Sequence, residues 1–198
     1  MPPKRKEKDQ SRLLDLVSEA GMLKRIKRSG WSVLGIKDAE TVAEHSFRCA
    51  VIGYLLACRE NASPYKVMLM TLFNDLHEAR ITDLHKMAQR YIDASPVEEK
   101  AFAEQIGSLP KDIRKELTDT RSEYKRQKTR ESIVARDADI LECLIQAREY
   151  QGHGFKEAVK FMKKAPACLK TSSAKKMWAL AKKKELNNWW VKLSEFKR

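Results

Sequence analysis

The stretch TVAEHSFRCAVIGYLL, residues 41–56, decides how the rest of the chain is read. Val42, Ala43, Phe47, Ala50, Val51, Ile52 and Leu55 leave few polar sides, which predicts a buried central helix rather than a surface one. Upstream, Leu13, Leu14, Val17 and Ala20 start an amphipathic helix running toward Lys27, ended by Ser29-Gly30, and a loop follows from Trp31 to Asp38. Downstream, Ser63-Pro64 has the form of a helix cap followed by a first-turn proline. That helix carries Val67, Met68, Leu69, Leu72 and Phe73 into Asn74-Asp75-Leu76-His77-Glu78. Further helices are expected over 97–107, 110–127, 129–151 and 155–163. A last one, over about 173–196, sets Leu186, Trp189, Trp190 and Leu193 on one stripe. Alternating runs of β-branched and aromatic residues are missing, so the expectation is an all-α fold.

Composition bounds the rest. The 198 residues, 42% of them hydrophobic, suffice for one compact domain with a buried core, which excludes a disordered polymer. The chain is expected to divide into a basic tail at residues 1–9 and a single domain over 10–198 that ends in a basic helix. Residues 1–8 carry a net charge of +3 and residues 155–198 one of +10, while residues 9–154 are balanced. Attraction to polyanions would therefore come from the ends. The more ordinary reading of a lysine-rich helix face is solvated surface. Apolar runs such as Val67 to Phe73 are far shorter than the ~20 residues of a membrane span, and the first residues lack an apolar signal core. A cytoplasmic protein without membrane contact is expected. Cys49, Cys58, Cys143 and Cys168 have no metal-type spacing and read as reduced core thiols.

Three polar groups interrupt the apolar helices: His45, Asp75 and Asp139. Each has an ordinary explanation, since a lone histidine is usually a hydrogen-bonded core residue and Asp139 can pair with Arg136 or Arg148. Together they form an imidazole and carboxylate set suited to a divalent metal. Ala43-Glu44-His45-Ser46, then Phe73-Asn74-Asp75-Leu76-His77-Glu78 with Asp83, then Ala138-Asp139, resemble the HD-domain metal-dependent phosphohydrolases. Within them the resemblance is to the 5'-deoxynucleotidases, whose pattern is His, His-Asp-x-x-Glu with Asp five residues after the Glu, and a late Asp.

The resemblance covers most of residues 11–151. It implies a helical bundle with the metal between central helices, a deoxynucleoside monophosphate substrate and a homodimer. By it, His45, Asn74, Asp75 and Asp139 are the metal positions, for Co, Mn, Mg, Zn or Ni. Glu78 exchanges protons, and Asp83 positions the sugar end and the attacking water. Asn74 departs from the pattern, standing where the family has its second histidine. An amide oxygen is a weaker donor than imidazole toward the later transition metals, so lowered affinity and impaired activity are expected. His77 shares a helix face with Asn74, but the family pattern gives it no ligand role. For Glu78 the ordinary alternative is an ion pair with Arg80.

Phosphate also calls for a cation from the protein. Arg28, in the basic run before the His45 helix, can grip phosphate oxygens bidentately. Trp31 covers the sugar or base, or else anchors its loop. The competing reading is an inactive HD-like module that binds nucleotide or nucleic acid. It rests on Asn74 and on the basic C-terminal segment with Trp178, Trp189 and Trp190.

Overall fold

A computed structural model describes residues 5–194. Among them no named strand occurs, and the chain forms α1 (Arg5–Ala20), α2 (Val42–Glu60), α3 (Pro64–Phe73), α4 (Glu78–Ile81), α5 (Ala94–Gly107), α6 (Lys111–Arg126), α7 (Arg130–Gly152), α8 (Phe161–Lys164) and α9 (Ser172–Ala181). The all-α expectation holds. Of the expected basic tail, residues 5–9 belong to α1 and residues 1–4 lie outside the described residues.

Local chemistry sets the ends of the helices that matter. Thr41 caps α2: its hydroxyl accepts the Glu44 N–H at 3.2 Å, and the Glu44 carboxylate accepts the Thr41 N–H at 2.6 Å. Glu44 is thereby engaged as a cap, beside His45 in sequence but not in role. Ser63 caps α3 with Pro64 in its first turn, as its dipeptide predicts. Thr129 and Ser132 form a second capping box at the start of α7.

The core is the mutual packing of α2, α3 and α7 through Ile52, Leu56, Val67, Met70, Val134, Ala138, Leu141 and Leu144. Gly53 makes the approach close: a Cβ there would stand 2.9 Å from a Val67 methyl and 3.6 Å from the Ala138 Cβ. His45, Cys49 and Gly53 follow one another at four-residue spacing, so this buried stripe of α2 carries the histidine inward. A short antiparallel bridge pairs Lys27 with Thr41. In it the Arg28 N–H donates to the Glu40 carbonyl at 2.9 Å, fixing Arg28 next to the start of α2.

Four expectations need correction. First, α2 is not buried on all sides: Phe47, Val51, Tyr54 and Leu55 form an exposed stripe. An apolar residue in an exposed position leaves no trace in the pattern that separates it from a buried one. Second, the C-terminal segment is not one helix. It ends at Ala181 and resumes only as short 3-10 turns at Leu186–Asn188 and Val191–Leu193, so the expected stripe is broken. Leu186 packs against the core, whereas Trp189 and Leu193 are 70% and 77% exposed. Third, the segment over 155–163 is a 3-10 turn at Lys156–Lys160 followed by α8. Fourth, of the cysteines only Cys49 is buried, Cys143 is half-buried, and Cys58 and Cys168 are exposed.

Candidate metal centre

The buried stripe of α2 meets α7 at His45, which is 1% exposed. Its Nε2 lies 3.2 Å from Asp139 Oδ1 on α7 and 3.6 Å from Asp75 Oδ2, just beyond the end of α3. Residues 30 and 94 positions away in sequence thus converge on one imidazole nitrogen. The other ring nitrogen, Nδ1, is 2.5 Å from Glu142 Oε2, a carboxylate with no exposure. A proton on Nδ1 leaves the Nε2 lone pair facing the two aspartates, which is the arrangement a ligating histidine needs. Glu142 lies outside the residues that the sequence singles out. The sequence carries one signal for it: Glu142 stands three positions after Asp139 among Ile140, Leu141 and Leu144, and so shares a helix face with it.

Asn74 ends α3, and its amide Nδ2 donates to Asp75 Oδ1 at 2.6 Å. Its backbone carbonyl accepts from Arg121 at 3.0 Å, and His77 Nδ1 approaches the same oxygen at 3.0 Å. His77 is thus turned toward the backbone of its own turn. Cys49 Sγ lies 4.0 Å from His45 Nε2, but burial pushes its thiol up to about 12, which makes it a poor donor beside two carboxylates. The donor set of one oriented imidazole, two carboxylates and an amide suits an oxygen-preferring divalent cation. The residues present fit a metal.

Cations of the protein face the same carboxylates. Arg28 Nη1 is 3.5 Å from Asp75 Oδ2, and Arg136 donates to Asp139 Oδ2 at 3.1 Å. Burial works against the charge of Arg28, but Asp75, Asp83, Asp139 and Glu78 together hold its pKa well above the ordinary value. Burial likewise pushes the Asp139 carboxyl up, and His45, Arg136 and Arg28 outweigh it, so Asp139 stays ionised.

Glu78 opens α4 and is buried, with Oε2 lacking any hydrogen-bond partner. Its ordinary alternative, a pair with Arg80, is not seen: Arg80 pairs instead with Glu19 and Glu104. Burial, with Asp75 and Asp83 adding to it, pushes the Glu78 carboxyl up to about 10. Asp83 follows Thr82, whose φ of 64° is uncommon for a β-branched residue. Asp83 Oδ2 accepts the Ser29 N–H at 2.6 Å and so ties down the loop that carries Arg28.

Trp31 is 2% exposed, packed on Phe161 and Tyr150 at centroid distances of 4.6 and 5.1 Å, with its indole N–H donating to Glu40 at 2.8 Å. It anchors its loop and also borders the cavity. That cavity, of about 830 Å³, brings together Arg28, Trp31, Asn74, Asp75, Glu78, Asp83 and Asp139. Of the eight residues singled out from sequence, only His45 does not line it, lying directly behind Asp75 and Asp139.

The sequence model of a family described as HD domain matches residues 20–180. The chain is 30% identical over 150 residues to 5'-deoxynucleotidase HDDC2 of Dictyostelium discoideum, covering 71% of this chain and 78% of that one. It is 29% identical over 145 residues to the human protein of the same name, covering 70% and 68%. A conserved hypothetical protein from Pyrococcus furiosus superposes with a TM-score of 0.74 at 32% identity, covering 86% of this chain and 99% of that one. A structure from Magnetospirillum magnetotacticum, described as a predicted metal-dependent phosphohydrolase, superposes with a TM-score of 0.72 at 26% identity, covering 92% and 93%.

Proposed function

The chain belongs to the HD domain family, and on that premise we propose that it is a metal-dependent phosphohydrolase releasing phosphate from deoxynucleoside 5'-monophosphates. The observation that carries the reading is the convergence of His45 Nε2, Asp75 and Asp139 at the floor of a cavity that also holds Arg28 and the orphaned carboxyl of Glu78. His45, Asn74, Asp75 and Asp139 would hold the divalent cation. When bound, that cation supplies Lewis acidity toward a phosphoryl oxygen and toward water.

The side chains do the rest. Arg28, held charged by the surrounding carboxylates, presents a planar donor fork to the phosphate. Glu78, whose environment favours the protonated form at neutral pH, delivers a proton to the departing 5' oxygen. Asp83 keeps Arg28 in place through Ser29 and stands at the edge where the sugar enters. Trp31 fixes the loop and closes one wall of the cavity with Phe161.

Asn74 tunes the metal. With one imidazole instead of two, the site favours magnesium or manganese over cobalt, zinc or nickel and runs slower than a two-histidine site. Phosphate release from dAMP, dGMP, dCMP, dTMP and dUMP with each ion tests the reading. Failure of both this chain and its Asn74→His variant to release phosphate overturns it.

A homodimeric, cytoplasmic enzyme completes the proposal. The exposed stripe of Phe47, Val51, Tyr54 and Leu55 on α2 supports self-association, and the four free cysteines accord with a reducing compartment. Among the described residues no helix is long and apolar enough to cross a membrane. Sedimentation at micromolar concentration is expected to give a dimer, and Phe47→Glu a monomer. A second reading, nucleic-acid binding, draws on Trp189 and Trp190, 70% and 50% exposed beside Lys182, Lys183 and Lys184. Salt-insensitive or absent binding of single-stranded DNA and RNA removes it.

A further inference from the structure

Glu142 is a charge where the packing asks for a leucine. It lies on α7 between Leu141 and Leu144, both fully buried, and is itself without exposure. Replacing a buried ion pair by apolar side chains of like volume is often neutral or stabilising, so stability alone gives little reason for a carboxylate here. Its two oxygens are divided between two partners. Oε2 takes His45 Nδ1 at 2.5 Å, while Oε1 accepts from Arg48 Nε at 2.9 Å and lies 2.7 Å from Arg48 Nη2. Arg48 is in turn held along one face of α7, donating to Gln146 at 2.5 Å and to Glu149 at 2.7 Å. With both oxygens engaged, the carboxylate cannot rotate. A fixed carboxylate at Nδ1 fixes both the plane of the imidazole and the ring nitrogen that bears the proton.

We infer that Glu142, clamped by Arg48, is a positioning residue that turns the Nε2 lone pair of His45 toward Asp75 and Asp139 for a divalent cation. The inference rests on the metal-site reading proposed above and extends it to two residues behind the ligands. Arg48 is half-exposed and borders a second cavity, on the side of α2 where Phe47 and Val51 emerge. The orientation of a buried ligand is thereby tied to a surface arginine.

The test is ion affinity, measured by competition of Mn²⁺ and Co²⁺ between the full-length chain and a fluorescent chelator, with no turnover involved. Glu142→Gln keeps the volume and one acceptor oxygen but removes the charge, and is expected to raise the ion Kd about 10–100-fold. Asp137→Asn, an equally buried carboxylate on α7 bonded to Lys170 and Thr171, is the control for a purely structural loss. It is expected to lower stability and leave ion affinity within about twofold, since it touches neither the ligands nor their partners. Arg48→Met, at a side chain that reaches solvent, is expected to weaken the ion by a smaller factor of about 3–10, and serves if Glu142→Gln fails to fold. Unchanged affinity in Glu142→Gln, or in Arg48→Met when it alone folds, overturns the inference while leaving the metal site standing. Equal weakening in Asp137→Asn overturns it as well. A wild-type chain that takes up neither ion overturns the metal-site reading and this inference with it.

Discussion

Asp137→Asn isolates a buried carboxylate that holds tertiary structure without touching the chemistry. Asp137 is 1% exposed, and Oδ1 accepts the Lys170 N–H at 2.9 Å. Oδ2 accepts the Thr171 N–H at 2.7 Å and the Thr171 hydroxyl at 2.6 Å. Thr171 is also the cap of α9, so one carboxylate fastens α9 to α7. An amide at this position keeps one oxygen for Thr171 and turns an NH₂ toward the Lys170 N–H, donor against donor. One charge-assisted bond is lost and the others face a neutral acceptor. At about 1.5–3 kcal/mol for a hydrogen bond to a charged group, the cost is roughly 2–4 kcal/mol. For a chain of this size that lowers the thermal midpoint by roughly 5–15 °C. Far-UV circular dichroism during heating and in urea reads the loss, and amide hydrogen exchange should rise first across α9. A midpoint within about 1 °C of the parent, or exchange that rises across α2 rather than α9, would refute the reasoning.

Other outcomes follow from the same geometry. Glu78→Gln removes the transferable proton and should lower the hydrolytic rate roughly 10²–10⁴-fold in steady-state assays, with no loss of thermal stability, because Oε2 has no partner to forfeit. Asn74→His should tighten Co²⁺ more than Mg²⁺ in chelator competition; equal effects on both ions would contradict the amide's role as the hard donor. Leu141→Ala, at a side chain without exposure in the core shared by α2, α3 and α7, should cost roughly 2–5 kcal/mol in urea unfolding. Thiol titration of the folded chain at neutral pH should count Cys58 and Cys168 at once and the half-buried Cys143, pushed up to about 12, more slowly, with the buried Cys49 reacting only on unfolding.

The polar residues legible in the sequence are those whose chemistry contradicts their surroundings. His45, Asp75 and Asp139 stand out because a charge or imidazole within an apolar helix demands a partner, and the structure sets both aspartates within 3.6 Å of His45 Nε2. Glu142 contradicts its surroundings just as much, but it lies outside the motif that singles out Asp139. Arg48 gave no signal, since an arginine beside Phe47 on a helix reads as surface. The C-terminal segment shows the opposite failure: Leu186, Trp189, Trp190 and Leu193 have helical spacing, but the helix ends before they begin.

Periodicity, with the capping letters Ser63-Pro64 before α3, is a property of neighbouring residues and determined that this chain is a helical bundle and roughly where α2, α3 and α7 run. Motif order marked the candidate ligands, Asn74 among them. Which side of α2 faces solvent, which carboxylate stands behind His45, and which arginine holds that carboxylate were decided only when α2 and α7 packed together at Gly53 and Ala138. Those contacts join residues about 95 positions apart, and no local pattern encodes the rotation of one helix against another.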